Sequence, residues 1–168
     1  LRGSPTRLAP EVFQNTETGW LAADLSRNSV LAWRAPGIDE VQFEVVDREG
    51  RIQQFITSGI SDEQRAAIGP PPVGHGVLGV VLREGRHLRL EDVSRHPQSA
   101  GFPPNHPVMH SLLAVPINCT GPFLGNIYLS EKPDRSAFTE RDHDSLVRFS
   151  VQAAIAIDNA YLHAQAAD

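Results

Sequence analysis

The chain has 168 residues, 40 % of them hydrophobic and 21 % charged, enough for one domain with a real core and too few for two comfortable ones. A net charge of −5 without a Lys/Arg cluster argues against nucleic acid or an anionic membrane as partner, and no apolar run approaches the ~18 residues of a bilayer span. The single cysteine, Cys119, excludes an internal disulfide and any mechanism needing two vicinal thiols; with no secretory signal at the start, a cytoplasmic setting is expected.

Leu1 to Thr18 carry Pro5 and Pro10 with few apolar positions and read as a lead-in or linker, leaving 19–168 as the domain. Between Gly19 and Asp39, Trp20, Leu21, Leu25, Val30, Leu31 and Trp33 lie close to helical spacing, interrupted by Asn28, Pro36 and Gly37. That spacing predicts two short helices, or a helix and a loop. Val41, Phe43 and Val45 alternate with Gln42 and Glu44, Asp47 to Gly50 supplies turn chemistry, and Ile52 to Thr57 resumes an extended run: a β-hairpin. Ser61 to Gln64 resembles a capping box opening a short helix that Gly69 and Pro70 end.

Gly74, Gly76 and Gly79 flank Val77, Leu78, Val80, Val81 and Leu82, which implies close approach of backbone to another element or a ligand. Ser94 to Met109 is mostly loop, and long loops in compact domains are often functional. Within it, Pro103, Pro104 and Pro107 restrict the backbone around His106, lowering the entropy cost of aiming its ring. A pre-aimed neutral imidazole suits an iron centre; the plainer role is a loop histidine bonded for structure. Ser111 to Asn118 and Phe123 to Ser130 read as a second antiparallel hairpin about Thr120-Gly121-Pro122. Thr139 to Asp142 caps a long amphipathic helix through Leu146, Phe149, Ala153, Ile157 and Tyr161, with a second edge of Val147, Ser150, Val151 and Ala154. The order of elements is an α+β pattern: a central antiparallel sheet, helices mainly on one face and a long C-terminal helix.

Gly76-Val77-Leu78-Gly79, Leu88 to Val93, Val115-Pro116-Ile117, Leu124 to Leu129 and Phe138 to Asp142 together resemble a GAF domain. More narrowly, Ser94-Arg95-His96-Pro97 and Gly101 to Met109 resemble the haem-binding first GAF domain of DevS/DosT-type sensor histidine kinases. That resemblance implies haem b with His106 as proximal iron ligand, and Tyr128, at the family's spacing from it, over the distal face. A phenol there would donate to bound O₂ and discriminate among O₂, CO and NO; a core tyrosine is the alternative. Phe102, Met109, Leu112, Leu113, Ile117 and Ile127 are candidates for the apolar cover of the macrocycle, although any core of this fold needs the same residue types. The output, a histidine kinase or another region, would lie elsewhere.

Other histidines are not assigned to iron. His110 follows His106 at helical metal-site spacing, but Pro107 and the next strand argue against a helix there. His96 reads as a turn residue, His75 and His87 as loop positions, and His143 as lying on the exposed side of a helix start. Catalysis is not expected: no nucleophile elbow or Walker loop occurs, and reductases of methionine sulfoxide built on this fold use several cysteines. The competing function is a haem-free domain that binds another small ligand or forms a homodimer through Ala153, Ile157 and Tyr161 of the terminal helix.

Overall fold

The computed structural model describes residues 11–15, 19–24, 29–34, 40–58, 61–69, 76–132 and 135–166. Strands β1 (Glu11–Asn15), β2 (Gly19–Asp24) and β3 (Ser29–Arg34) form an antiparallel three-stranded sheet. This corrects the helical expectation for Gly19 to Asp39. The apolar positions there come in close pairs as well as at helical steps, and non-local strand pairing, which a periodicity count does not see, decides between them.

The main sheet has five strands in the order β5-β4-β8-β7-β6, with every neighbouring pair antiparallel. Its members are β4 (Glu40–Asp47), β5 (Ile52–Ser58), β6 (Leu88–Leu90), β7 (Leu112–Asn118) and β8 (Phe123–Ser130). Both expected hairpins are present. Asp47 closes the first: its carboxylate accepts the backbone N–H groups of Glu49 and Arg51 and the Arg51 Nε at 2.7 Å, and Gly50 takes φ 81°.

Helix α1 (Asp62–Ile68) opens with the expected capping box, Ser61 Oγ accepting the Gln64 N–H and Gln64 Oε1 accepting the Ser61 N–H, and ends on Gly69 at φ 94°. The glycine-flanked apolar segment is helix α2 (Gly76–Glu84). The close approach expected of its glycines occurs at Gly76, where a Cβ would come 3.3 Å from the Cβ of Ala100; Gly74 and His75 lie outside the described residues. Helix α3 (Glu140–Ala166) begins with a reciprocal cap, Thr139 N–H to Asp142 Oδ2 at 2.8 Å and Asp142 N–H to Thr139 Oγ1 at 3.2 Å.

Strand side chains alternate between faces, and here both faces of the central strands are covered. Leu113, Val115 and Ile117 of β7, Ile127 and Leu129 of β8 and Val45 of β4 pack against Leu146, Phe149, Ala153 and Ile157 of α3. On the opposite face Leu112, Ala114 and Tyr128 meet Val77, Val80 and Val81 of α2, with Leu88 and Val93. β7 is therefore buried at every position but its last, where alternation alone would leave one side in water.

Candidate functional site

On the α2 face, β4 and β8 bring three polar side chains together inside the protein. Glu44 and Asn126 are direct cross-strand partners, and Tyr128 lies two residues along β8 on the same face. The Tyr128 hydroxyl donates to Glu44 Oε2 at 2.7 Å and accepts from Asn126 Nδ2 at 2.9 Å. Exposure is 3 % for Glu44, 0 % for Asn126 and 2 % for Tyr128, so the network is sealed from bulk water. Among the described residues, two acceptors in it, Glu44 Oε1 and Asn126 Oδ1, have no partner. Burial pushes the Glu44 carboxyl above its ordinary range against the hydrogen bonds from Tyr128 and Asn126. Burial, reinforced by the Glu44 charge, pushes the phenol well above its own.

Gly125 lets the two strands approach this closely: a Cβ there would stand 2.9 Å from the Glu44 carbonyl oxygen. Glu44 and Asn126 were not singled out in the sequence. Alternation placed Glu44 with the solvent-facing positions of β4, and only its shared parity with Tyr128 through the β4–β8 register would have pointed to it.

His106 sits in a tight turn. Its N–H donates to the Pro103 carbonyl at 3.1 Å, and Asn105 before it takes φ 66°, a left-handed conformation that asparagine tolerates. Nδ1 lies 2.7 Å from the Pro107 carbonyl oxygen, which can only accept, so in the neutral ring Nδ1 carries the proton and Nε2 the lone pair. The ring stacks on Phe102, centroids 5.4 Å apart and planes 17° from parallel, and Phe102 packs against the cluster that holds Tyr128. Asn105 Nδ2 ties this loop to α1 through the Ala67 carbonyl at 3.2 Å.

The candidate pocket residues divide between the two sides of the sheet. Phe102 and Leu112 share the α2 face with Tyr128, and Met109 is half-buried beside His110. Leu113, Ile117 and Ile127 do not join them. They point into the α3 core, because adjacent strand positions face opposite ways, and this corrects their assignment to a common pocket. For an iron ligand, His106 has the right chemistry: a backbone carbonyl holds one ring nitrogen, and the other has no hydrogen-bond partner among the described residues. Tyr128 offers a phenol, but its proton goes to Glu44 and its ring is enclosed by the α2 cluster. A macrocycle between the two residues thus requires α2 to part from β7 and β8.

Away from this face, Cys119 at the end of β7 is partly buried, and burial together with Asp158 pushes its thiol up to about 12. That is the opposite of a reactive cysteine. Asp158 of α3 accepts the N–H of Thr120 at 2.8 Å and of Gly121 at 2.9 Å, clamping the β7–β8 turn to the helix. His96 serves the turn expected of it, its Nδ1 accepting the Gln98 N–H at 3.2 Å. His110 stands beside Glu131, whose Oε1 is 3.5 Å from its Nδ1 and also accepts its backbone N–H. Among the described residues no group of three or more His, Cys, Asp or Glu side chains gathers to hold a metal ion, and no helix is long and apolar enough to cross a membrane.

The family model described as GAF domain matches residues 11–158. Among solved structures, the GAF domain of a phosphoenolpyruvate-protein phosphotransferase from Coxiella burnetii is 22 % identical, with 78 % of this chain and 77 % of that one covered and a TM-score of 0.61. The GAF domain of the Acinetobacter phosphoenolpyruvate-protein phosphotransferase is 22 % identical over 74 % of both chains, with a TM-score of 0.59. A type II free methionine-R-sulfoxide reductase from Thermoplasma acidophilum is 19 % identical, covering 70 % of this chain and 77 % of its own, with a TM-score of 0.51. At these identities the structural likeness carries the fold alone, and the same fold houses both regulatory domains and enzymes.

Proposed function

Because the chain belongs to the GAF family, we propose that it is a regulatory module that takes a small ligand on the α2 face of its sheet, and that the ligand is haem b held through Nε2 of His106. The observation that carries this is the Nδ1 contact to the Pro107 carbonyl at 2.7 Å, which fixes the tautomer an axial ligand needs. Bound haem would supply an iron open to O₂, CO or NO, or to a change of redox state. Phe102 would hold the imidazole plane, and the Tyr128 hydroxyl, once its proton turns away from Glu44, would be the hydrogen-bond donor on the sheet side. β8 would carry the consequence to α3 through Ile127 and Leu129, and α3 to a histidine kinase or other output.

The test is a haemin titration of the purified chain followed by absorption, wild type against His106→Ala. A Soret band in the wild type that shifts or weakens in the variant supports ligation; identical spectra and affinities refute it.

A haem-free alternative is favoured by Glu44 Oε1 and Asn126 Oδ1, two buried acceptors on cross-strand partners that have no hydrogen-bond partner among the described residues. They suit a ligand that presents paired N–H donors, such as an amine or amidine. In that version self-association would run through α3. Ala153 and Ile157, expected at such an interface, are buried against the sheet, and Tyr161 packs edge-on to Phe123 with centroids 5.4 Å apart. Among the described residues, Val151, Ile155 and Leu162 are the exposed large apolar side chains of that helix and take their place as the contact stripe. Colourless protein that binds no haemin at micromolar concentration would favour this version.

A further inference from the structure

His87 lies in the turn between α2 and β6, and His143 in the first turns of α3, yet Nδ1 of His87 is 2.9 Å from Nε2 of His143. The ring centroids are 5.1 Å apart. Nδ1 of His143 stands 3.6 Å from Asp144 Oδ1, a carboxylate that favours the proton on that nitrogen and leaves the Nε2 lone pair facing His87. Nothing in their spacing joins two histidines on separate elements.

We propose that this pair binds a divalent transition metal, Zn²⁺, Ni²⁺ or Cu²⁺, between His87 Nδ1 and His143 Nε2, with water completing the coordination. Two Zn–N bonds of about 2.0–2.1 Å at a tetrahedral angle hold their nitrogens about 3.3 Å apart. The 2.9 Å pair therefore has to open by only a few tenths of an ångström. His87 must carry its remaining proton on Nε2, a change of tautomer at an exposed side chain.

Asp144 supplies the outer carboxylate that orients a metal-bound imidazole. The positive end of the α3 dipole opposes a cation here, and Glu140 and Asp142 in the first turn offset it; Arg86 next to His87 is paired with Glu84 at 3.4 Å. With two protein nitrogens and no third donor gathered among the described residues, the site is exchangeable rather than structural. Its consequence is a clip from the α2–β6 turn to the start of α3.

Calorimetric titration of the haem-free chain with ZnCl₂ tests it, together with amide hydrogen exchange. The expected result is one Zn²⁺ per chain, bound about tenfold or more weakly by His87→Gln and by His143→Gln and unchanged by His106→Ala. Zn²⁺ should slow exchange at the start of α3 in the wild type and in His106→Ala but in neither glutamine variant. Wild-type affinity in both glutamine variants, or loss in His106→Ala only, would overturn the proposal. Circular dichroism confirms that each variant is folded, and failure of haemin to bind leaves this outcome unaffected.

Discussion

Glu44→Gln is expected to stabilise the protein at neutral and higher pH. Among the described residues the buried carboxylate's Oε1 has no partner, and neither has Oδ1 of Asn126, its cross-strand partner. Glutamine keeps an acceptor for the Tyr128 hydroxyl and puts an NH₂ where Oε1 stood, opposite Asn126 across the β4–β8 pair. An unsatisfied buried polar group costs about 1–3 kcal/mol, so the variant should gain about that much at pH 8. The pH dependence has a definite sign. Burial raises the folded pKa of Glu44, so the native state binds more protons than the unfolded one between the unfolded value, about 4.3, and the folded value. That contribution is fully present below the unfolded pKa and is lost as pH rises through the folded pKa, with a slope of at most about 1.4 kcal/mol per pH unit. Urea unfolding at pH 4, 5, 6, 7 and 8 reads this directly; with m of about 1–3 kcal/mol/M, the midpoint difference should grow from near zero at pH 4 to about 1 M at pH 8. A variant less stable than wild type at pH 8, or a difference independent of pH, would refute the reasoning.

Gly125→Ala should lose about 1–3 kcal/mol in the same assay, because its Cβ would meet the Glu44 carbonyl oxygen at 2.9 Å and Ile117 Cδ1 at 3.1 Å. Gly121→Ala should cost less, since its nearest neighbour, Asp158 Oδ1 at 3.1 Å, is a side-chain atom that can shift; equal costs would contradict the backbone argument. Cys119, with its thiol pushed up to about 12, should react with a disulfide reagent at pH 8 about two to three orders of magnitude more slowly than in the urea-unfolded chain, and fast labelling of the native state would count against its burial. Replacing Val151 and Ile155 by glutamate should abolish any self-association seen in sedimentation without shifting the thermal midpoint, because both side chains are exposed; a dimer that survives the pair of changes does not use this stripe.

Local signals in the sequence carried most of the fold. The turn at Asp47 to Gly50, the capping boxes at Ser61 and Thr139, the alternation of β4 and the apolar runs of β7 and β8 about their turn are chemistry between near neighbours, and each element formed as its residues dictate. The amino-terminal strands were not legible, since Trp20, Leu21, Val30, Leu31 and Trp33 satisfy either period and only pairing between β2 and β3 selects one. α2 hid behind its glycines: helix propensity penalises them by roughly 1 kcal/mol each, while burial of Val77, Val80 and Val81 on the sheet outweighs it. Pocket candidates chosen by residue type failed where strand parity mattered, which is why Leu113, Ile117 and Ile127 fell on the far side. Glu44 was hidden for the converse reason, as a polar residue in an alternating strand whose polar side is covered.

The same parity decides how the two faces communicate. Ile127 and Tyr128 are consecutive on β8, one in the α3 core and the other in the α2 cluster. Neither face is loose: the helix side is close-packed and the α2 side is tied through Tyr128 to Glu44 on β4, with Gly125 holding β8 against the β4 backbone. A displacement of β8 therefore moves both clusters together, and the β7–β8 turn beyond it is already fastened to α3 by Asp158. Loosening that fastening by Asp158→Ala should leave ligand uptake at the α2 face intact while reducing the change in α3 hydrogen exchange that uptake produces. An undiminished change would mean that the signal crosses through the packed core alone.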